Sequence, residues 1–318
     1  MSSFLDFEKP IAEIEGKIHE LRHLSDDSSV NILDEVSKLQ SRVDRMLKQT
    51  YEKLDPWQKA QVARHSSRPH FTHYVSKLID SFTPLSGDRN FSEDKAIIGG
   101  IGKFRGQSIM ILGHEKGADT ESRLRHNFGM PHPEGYRKAM RLFRLAEQFS
   151  MPVITLVDTS GAHPGIEAEE RGQAEAIARS IETCLDLRVP IVSMIIGEGG
   201  SGGAIAIAIA NHVLMMEHAV YSVISPEGCA SILWRSSEYA EDAAASLRMT
   251  AQDLIKLGLI DEIVNEPIGG AHRNPNQAIE VAGEALFIAL SSLQGKSGED
   301  LRNERRNKFL AMGKAGLS

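Results

Sequence analysis

The run Ile191-Val192-Ser193-Met194-Ile195-Ile196, followed by Gly197-Glu198-Gly199-Gly200-Ser201-Gly202-Gly203-Ala204 and then by alternating Ala and Ile, constrains this chain more than any other segment. From Ile191 to Met216 the chain is the most apolar it becomes. Gly197-Glu198-Gly199-Gly200 and Asn211-His212 interrupt that stretch, so it is too broken to cross a bilayer. It has to be interior: a buried strand, a glycine loop and a short buried helix, as in an α/β core.

The same rhythm recurs on both sides. A helix is expected over Tyr136 to Phe149, a strand at Val153 to Val157, a loop Asp158-Thr159-Ser160-Gly161-Ala162-His163-Pro164-Gly165 and a helix from about Ala168 to Asp186. Strands are expected near Val213 to Met216 and Tyr221 to Ile224, and the turn Ser225-Pro226-Glu227-Gly228 leads into another helix. Upstream, Ala96 to Ile101 and Gln107 to Leu112 read as a hairpin turning at Lys103-Phe104-Arg105-Gly106. Strand, loop and helix in this order predict a mostly parallel sheet whose ligands bind beyond the carboxyl ends of its strands. Past Leu254 the chain reads as mainly helical, and Arg302, Arg305, Arg306 and Lys308 read as a solvated basic tail.

Ahead of this core, Ile11, Ile14, Ile18 and Leu21, and then Ile32, Val36, Leu39, Val43 and Met46-Leu47, recur at helical spacing with Ser25-Asp26-Asp27-Ser28-Ser29 between them. A helical hairpin with a narrow apolar seam is expected. Residues 1–90 are then hairpin and connector, and 91–318 the main domain with a helical C-terminal part.

A net charge of −7 in 318 residues gives no basic field for a polyanion, so neither nucleic acid nor an anionic membrane is expected as the main partner. Cys184 and Cys229 lack C-x-x-C spacing and read as buried reduced thiols; no metal site is expected. The opening Met1 to Glu8 lacks a basic stretch followed by an apolar one, so a cytoplasmic location is expected.

The glycine octet admits three chemistries. Gly197-x-Gly199-x-x-Gly202 fits a dinucleotide fingerprint between strand and helix. Gly199-x-Ser201-x-Gly203 fits a nucleophile elbow, with Ser201 attacking and His212, His218 or His272 as its base. The third reading uses the backbone alone: the N–H groups of Gly202, Gly203 and Ala204 at a helix N-terminus form an oxyanion hole.

Glu198 to Ala204 and Ser222-Val223-Ile224-Ser225-Pro226-Glu227-Gly228-Cys229-Ala230-Ser231-Ile232-Leu233-Trp234 resemble the α subunit of bacterial acetyl-CoA carboxylase carboxyltransferase. So do Asp94-Lys95-Ala96-Ile97, Asn127 to Pro131, Pro133 to Ala139, Ala168 to Gln173, Gly269 to Pro275 and the opening Phe4 to Glu8. The resemblance therefore covers nearly the whole chain. It implies a crotonase (ClpP/crotonase-like) fold of repeated ββα units with the N-terminal hairpin attached, which periodicity alone does not separate from a doubly wound sheet.

The same resemblance implies carboxybiotin, held on a biotin carboxyl carrier protein, and acetyl-CoA as substrates, with no covalently bound cofactor. It also implies an α2β2 assembly with a carboxyltransferase β subunit, and ATP used by a separate biotin carboxylase. Gly202 and Gly203 match the donors to the biotin oxyanion. Gly199, Gly200, Ala204, Gly161, Gly165, Ser225, Pro226, Glu227 and Gly228 are expected around the substrates, with Asp158 beside them and Arg171 as a candidate partner for a CoA phosphate. A transferase for another acyl-CoA and a serine hydrolase remain the alternatives. Ser160 and His163 depart from the family's usual proline and tyrosine, so a contact by that tyrosine does not carry over.

Overall fold

The computed structural model describes residues 4–24 and 30–313. The expected break at Ser25 to Ser29 lies outside them. Helices α1 (Lys9–Leu24) and α2 (Val30–Tyr51) form the hairpin, followed by α3 (Pro56–Ala63), α4 (Phe71–Leu78) and strands β1 (Ile79–Pro84), β2 (Ile97–Phe104) and β3 (Gln107–His114). Next come α5 (Thr120–Arg125), α6 (Pro133–Gln148), β4 (Val153–Thr159), α7 (Ile166–Glu170), α8 (Gln173–Asp186), β5 (Ile191–Gly200) and α9 (Ser201–Ala208). The chain continues through β6 (His212–Met216), β7 (Val220–Ser222), α10 (Pro226–Trp234), α11 (Ala240–Leu247), α12 (Ala251–Lys256), β8 (Glu262–Val264), α13 (Pro275–Ser292) and α14 (Gly298–Ala311).

The strands make one sheet in the order β1-β2-β3-β4-β5-β6-β8, with β7 paired to the far end of β5. The β1/β2 and β2/β3 pairs are antiparallel and the rest are parallel. Every residue of β4 and the first seven of β5 are buried, which is why these strands are mostly Val, Ile, Leu and Met rather than an alternation of apolar and polar residues, with Thr155, Asp158, Thr159 and Ser193 the buried polar exceptions. Parallel pairing puts the carboxyl ends of β4 and β5 side by side, and the loop after β4 therefore lies against the start of α9.

The hairpin has its own small core of Ile11, Ile14, Ile18, Val43, Leu47 and Tyr51, joined by Leu54 and Val62. Arg273 fastens it to the body by pairing with Glu8 at 3.0 Å and Glu15 at 2.8 Å. The expected connector up to position 90 contains two helices and strand β1. Because β1 is hydrogen-bonded to β2, the sheet begins upstream of position 91.

Two expectations need correction. The basic C-terminal segment is not a solvated tail: Arg305 is fully buried, Lys308 bonds Asp261 at 2.6 Å, and α14 is thereby anchored to the body. Of the two thiols only Cys184 is buried, and Cys229 is partly exposed on α10.

His114, at the end of β3, is fully buried with neither ring nitrogen hydrogen-bonded, and burial pulls its pKa down to about 4. Between that value and the ordinary 6.5 the unfolded chain binds a proton that the folded chain does not, so stability falls as pH drops through this window. We expect the wild type to lose about 2 kcal/mol between pH 7.5 and pH 5 through this group. His114→Met is expected to flatten the change in urea midpoint over that range by the same amount.

Candidate active site

The glycine octet does not begin as a loop. Strand β5 runs on to Gly200, with Glu198, Gly199 and Gly200 paired to Val220, Tyr221 and Ser222, so the expected turn at Gly197 is corrected to strand. Close approach explains the glycines. A Cβ on Gly197 would strike Asp158, one on Gly200 would strike the Ser160 carbonyl, and one on Gly199 would lie 2.6 Å from the Tyr221 ring.

Helix α9 then starts abruptly at Ser201, whose φ of 51° is left-handed. That is the backbone shape of a nucleophile elbow. None of the three expected histidines serves it: His212 lies 3.3 Å from Ser292 Oγ, His218 packs on the Tyr51 ring, and His272 stacks against His65. What the turn does create is an array of donors. Ser201, Gly202 and Gly203 occupy the first turn, whose N–H groups have no acceptor within the helix, and Gly200 in the N-cap position has no side chain to cap them. The positive end of the helix dipole lies at the same place.

Gly203 is backed by the loop after β4; a Cβ there would sit 2.6 Å from Ala162 N and 2.7 Å from the Gly161 carbonyl carbon. Gly202 faces open space, its nearest neighbour being Ile177 at 3.6 Å from an added Cβ. The loop itself is fixed by Gly161, whose φ of 143° only glycine adopts readily and whose N–H donates to Thr159 Oγ1 at 3.0 Å.

A charged network lines the adjoining cleft. Asp158 is buried at the end of β4 and accepts from Glu198 N at 3.0 Å, Lys116 Nζ at 2.9 Å and His70 Nδ1 at 3.1 Å. Burial disfavours its charge, but Lys116 and His70 outweigh that and hold its pKa below the usual carboxylate range. Glu198 bridges Lys116 at 2.6 Å and Arg64 at 2.6 Å, and Arg64 reaches on to Glu227 at 2.5 Å. A cleft of about 220 Å³ opens onto Arg64, His70, Lys116, Phe128, Ser160 and Glu198. A larger cavity of about 560 Å³ lies away from these residues, where the hairpin meets the body.

The structure brings most of the sequence candidates together. Gly199, Gly200, Ser225 and Pro226 line one groove with Ser160 and Glu198. Ser225 caps α10 by accepting from Gly228 N at 3.1 Å, and Glu227 joins through Arg64. Ala204 is buried just inside α9. Gly165 stands apart, preceding α7 and facing His163. Arg171 pairs with Glu134 at 2.8 Å and lies over the Phe91 ring at 4.8 Å.

Arg64, His70 and Lys116 had no sequence signal beyond lying in polar connections. Glu198 had one: a lone carboxylate inside the most apolar stretch of the chain, which burial forces to find cations.

Residues 4–313 match the family model described as acetyl co-enzyme A carboxylase carboxyltransferase-like. The chain belongs to this family. Acetyl-coenzyme A carboxylase carboxyl transferase subunit alpha of Paramagnetospirillum magneticum is 68% identical over 99% of both chains, and that of Rhodospirillum centenum 64% identical over 99% of both.

Among solved structures, a Pseudomonas malonate decarboxylase hetero-tetramer in complex with coenzyme A matches with a TM-score of 0.56 and 16% identity, over 70% of this chain and 87% of that one. Transcarboxylase 12S matches with a TM-score of 0.54 and 18% identity, over 67% of this chain and 41% of that one. These likenesses establish the crotonase-type fold of this carboxyltransferase family member. No helix among the described residues is long and apolar enough to cross a membrane.

Proposed function

We propose that this chain works with a carboxyltransferase β subunit, in an α2β2 assembly, to move the carboxyl group of carboxybiotin on a carrier protein to acetyl-CoA, giving malonyl-CoA. A separate biotin carboxylase uses ATP to load the carrier, and no covalently bound cofactor is required here. The carboxyltransferase unit takes in strand β1 and the Arg64 and His70 segments as well as residues from about 91 onward, and the hairpin is an attached structural element.

One observation carries this reading: the N–H donors of Gly202 and Gly203 in the first turn of α9, at the positive end of the helix, where Gly200 supplies no side-chain cap. When the N–CO2 bond of carboxybiotin breaks, the electron pair remains on the ureido group as an oxyanion. The two N–H groups stabilise that charge. The anion, held near the thioester methyl, takes one of its protons, and the resulting enolate forms a C–C bond to the released carbon dioxide. Electrons balance without a redox partner, and this chain needs no side-chain base. The second negative charge, on the thioester enolate, falls to donors of the β subunit.

Gly199, Gly200, Ser225 and Pro226 form the wall of the biotin or CoA groove, while Asp158, Lys116, Glu198 and Arg64 hold the shape of the strand ends beneath it. The left-handed Ser201 favours a second reading, a serine hydrolase, and its lack of a histidine partner argues against it.

Mixed with its β subunit, carboxybiotin and acetyl-CoA, the chain is expected to form malonyl-CoA; alone it is expected to form none and to hydrolyse no ester. Turnover only with propionyl-CoA or a longer thioester would change the substrate. Ester hydrolysis by the chain alone would replace the reading.

A further inference from the structure

We propose that His132, His163 and Glu167 bind one divalent transition-metal cation of the zinc class. The three come from separate elements: His132 precedes α6, His163 lies in the loop after β4, and Glu167 is in the first turn of α7. One ligand atom from each lies within 4.8 Å of the others.

Both imidazoles address the same carboxylate oxygen. His163 Nε2 is 2.7 Å and His132 Nε2 3.9 Å from Glu167 Oε1. A tetrahedral zinc site with ligand bonds near 2.0–2.1 Å needs ligand atoms roughly 3.3 Å apart, so the two contacts to Glu167 Oε1 change by about 0.6 Å each and the imidazole nitrogens, which lie within 4.8 Å, close on each other by side-chain rotation. The two ring centroids lie 4.3 Å apart with the planes tilted by 30°, so the imidazoles adjoin one another beside the carboxylate.

The surroundings of His132 are those of a metal ligand. Asp94 Oδ2 lies 3.3 Å from its Nδ1, and Asp94 is itself held by Ala96 N and His132 N, each at 2.8 Å. A carboxylate on Nδ1 fixes the tautomer that leaves Nε2 free to coordinate. His163 is less prepared. Asn127 Nδ2 bonds Met130 O at 2.7 Å and approaches His163 Nδ1 at 3.0 Å, which favours a proton on Nε2. Metal uptake moves that proton to Nδ1 or to solvent and turns the amide away, so affinity is lower by about 10–100-fold than for a fully supported site.

The site is reachable, with the Glu167 side chain 54% exposed and the two imidazoles partly so. Two imidazoles and one carboxylate suit zinc rather than magnesium or calcium. The ion would pin the loop that backs Gly203, whose His163 N already donates to Pro131 O at 3.0 Å and so ties it to the segment before α6.

Isothermal titration of the full-length chain with zinc chloride tests this. Wild type is expected to bind one zinc per chain, with at least 10-fold weaker binding in His163→Gln, His132→Gln and the surface variant Glu167→Gln. His19→Gln, which breaks a separate surface pair of imidazoles 3.2 Å apart, is expected to bind as wild type does. A wild type that takes up no zinc overturns the proposal, as does unchanged binding in the folded Glu167→Gln and His163→Gln chains or loss of binding in His19→Gln.

Discussion

A Gly203→Val chain, assembled with its β subunit, is expected to make malonyl-CoA at least about 100-fold more slowly than wild type. The first carbon of any side chain at 203 meets backbone rather than a movable side chain, at 2.6 Å from Ala162 N and 2.7 Å from the Gly161 carbonyl carbon. Either the loop after β4 retreats or the first turn of α9 does. Both move the N–H donors relative to the bound ureido oxygen, and such donors are worth about 2.7–4 kcal/mol each when aligned. The stability change should be smaller, about 1–3 kcal/mol of overpacking, so a thermal melt separates loss of alignment from loss of fold. Gly202→Ala is the companion variant. Its methyl enters open space 3.6 Å from Ile177, and the chain should fold as wild type does.

Arg305→Ala should be the most destabilising simple substitution in the C-terminal third. The guanidinium is fully buried and pairs with no carboxylate among the described residues. It donates to the carbonyls of Cys184 and Leu187 at 2.7 Å, to Val189 O at 2.9 Å, and to Asn211 Oδ1 at 2.7 Å. Burial lowers its pKa to about 10, and the charge persists at neutral pH because four acceptors surround it. Truncation leaves those acceptors dry and a cavity beneath α14, at a combined cost of about 3–5 kcal/mol. The melting temperature should drop by roughly 10 °C, since each kcal/mol shifts a chain of this size by about 2–4 °C. Arg305→Lys should recover only part, because one ammonium does not span acceptors arranged for a fork.

This residue also shows where sequence reading stopped. A basic cluster on a C-terminal helix looks solvated by composition, and nothing local reveals that one arginine in it points at the carbonyls ending α8. The long buried strands β4 and β5 were legible because burial on both faces leaves a run that is apolar but for Thr155 and Ser193 up to Val157 and Ile196. The three-residue strand β8 was not, being too short for any period to register, and β7, expected near Tyr221 to Ile224, runs from Val220 to Ser222 instead. Helices α3 and α4 and strand β1 hid in a connector whose His65, Arg68 and His70 looked like surface residues. All three are buried, Arg68 against Glu266 at 2.5 Å.

The site was legible to a different degree. The octet located the oxyanion donors, and the Ser225 to Gly228 turn located the adjoining wall. The sequence placed the turn at Gly197 because glycine usually ends a strand; here the glycines let β4, β7 and the Ser160 carbonyl crowd β5 without ending it. Arg64, Lys116 and His70 reach the cleft from three different segments, and only the fold brings them onto Asp158 and Glu198.

The most direct test of the account is the rate of malonyl-CoA formation by Ser201→Ala assembled with the β subunit. The hydroxyl is a bystander in this account, so kcat should stay within about threefold of wild type, because the backbone N–H of residue 201 and its neighbours is retained. A fall of about 10³-fold or more, with the variant folded and assembled, would make Ser201 the reacting group and contradict the assignment of this chemistry to the backbone of Gly202 and Gly203.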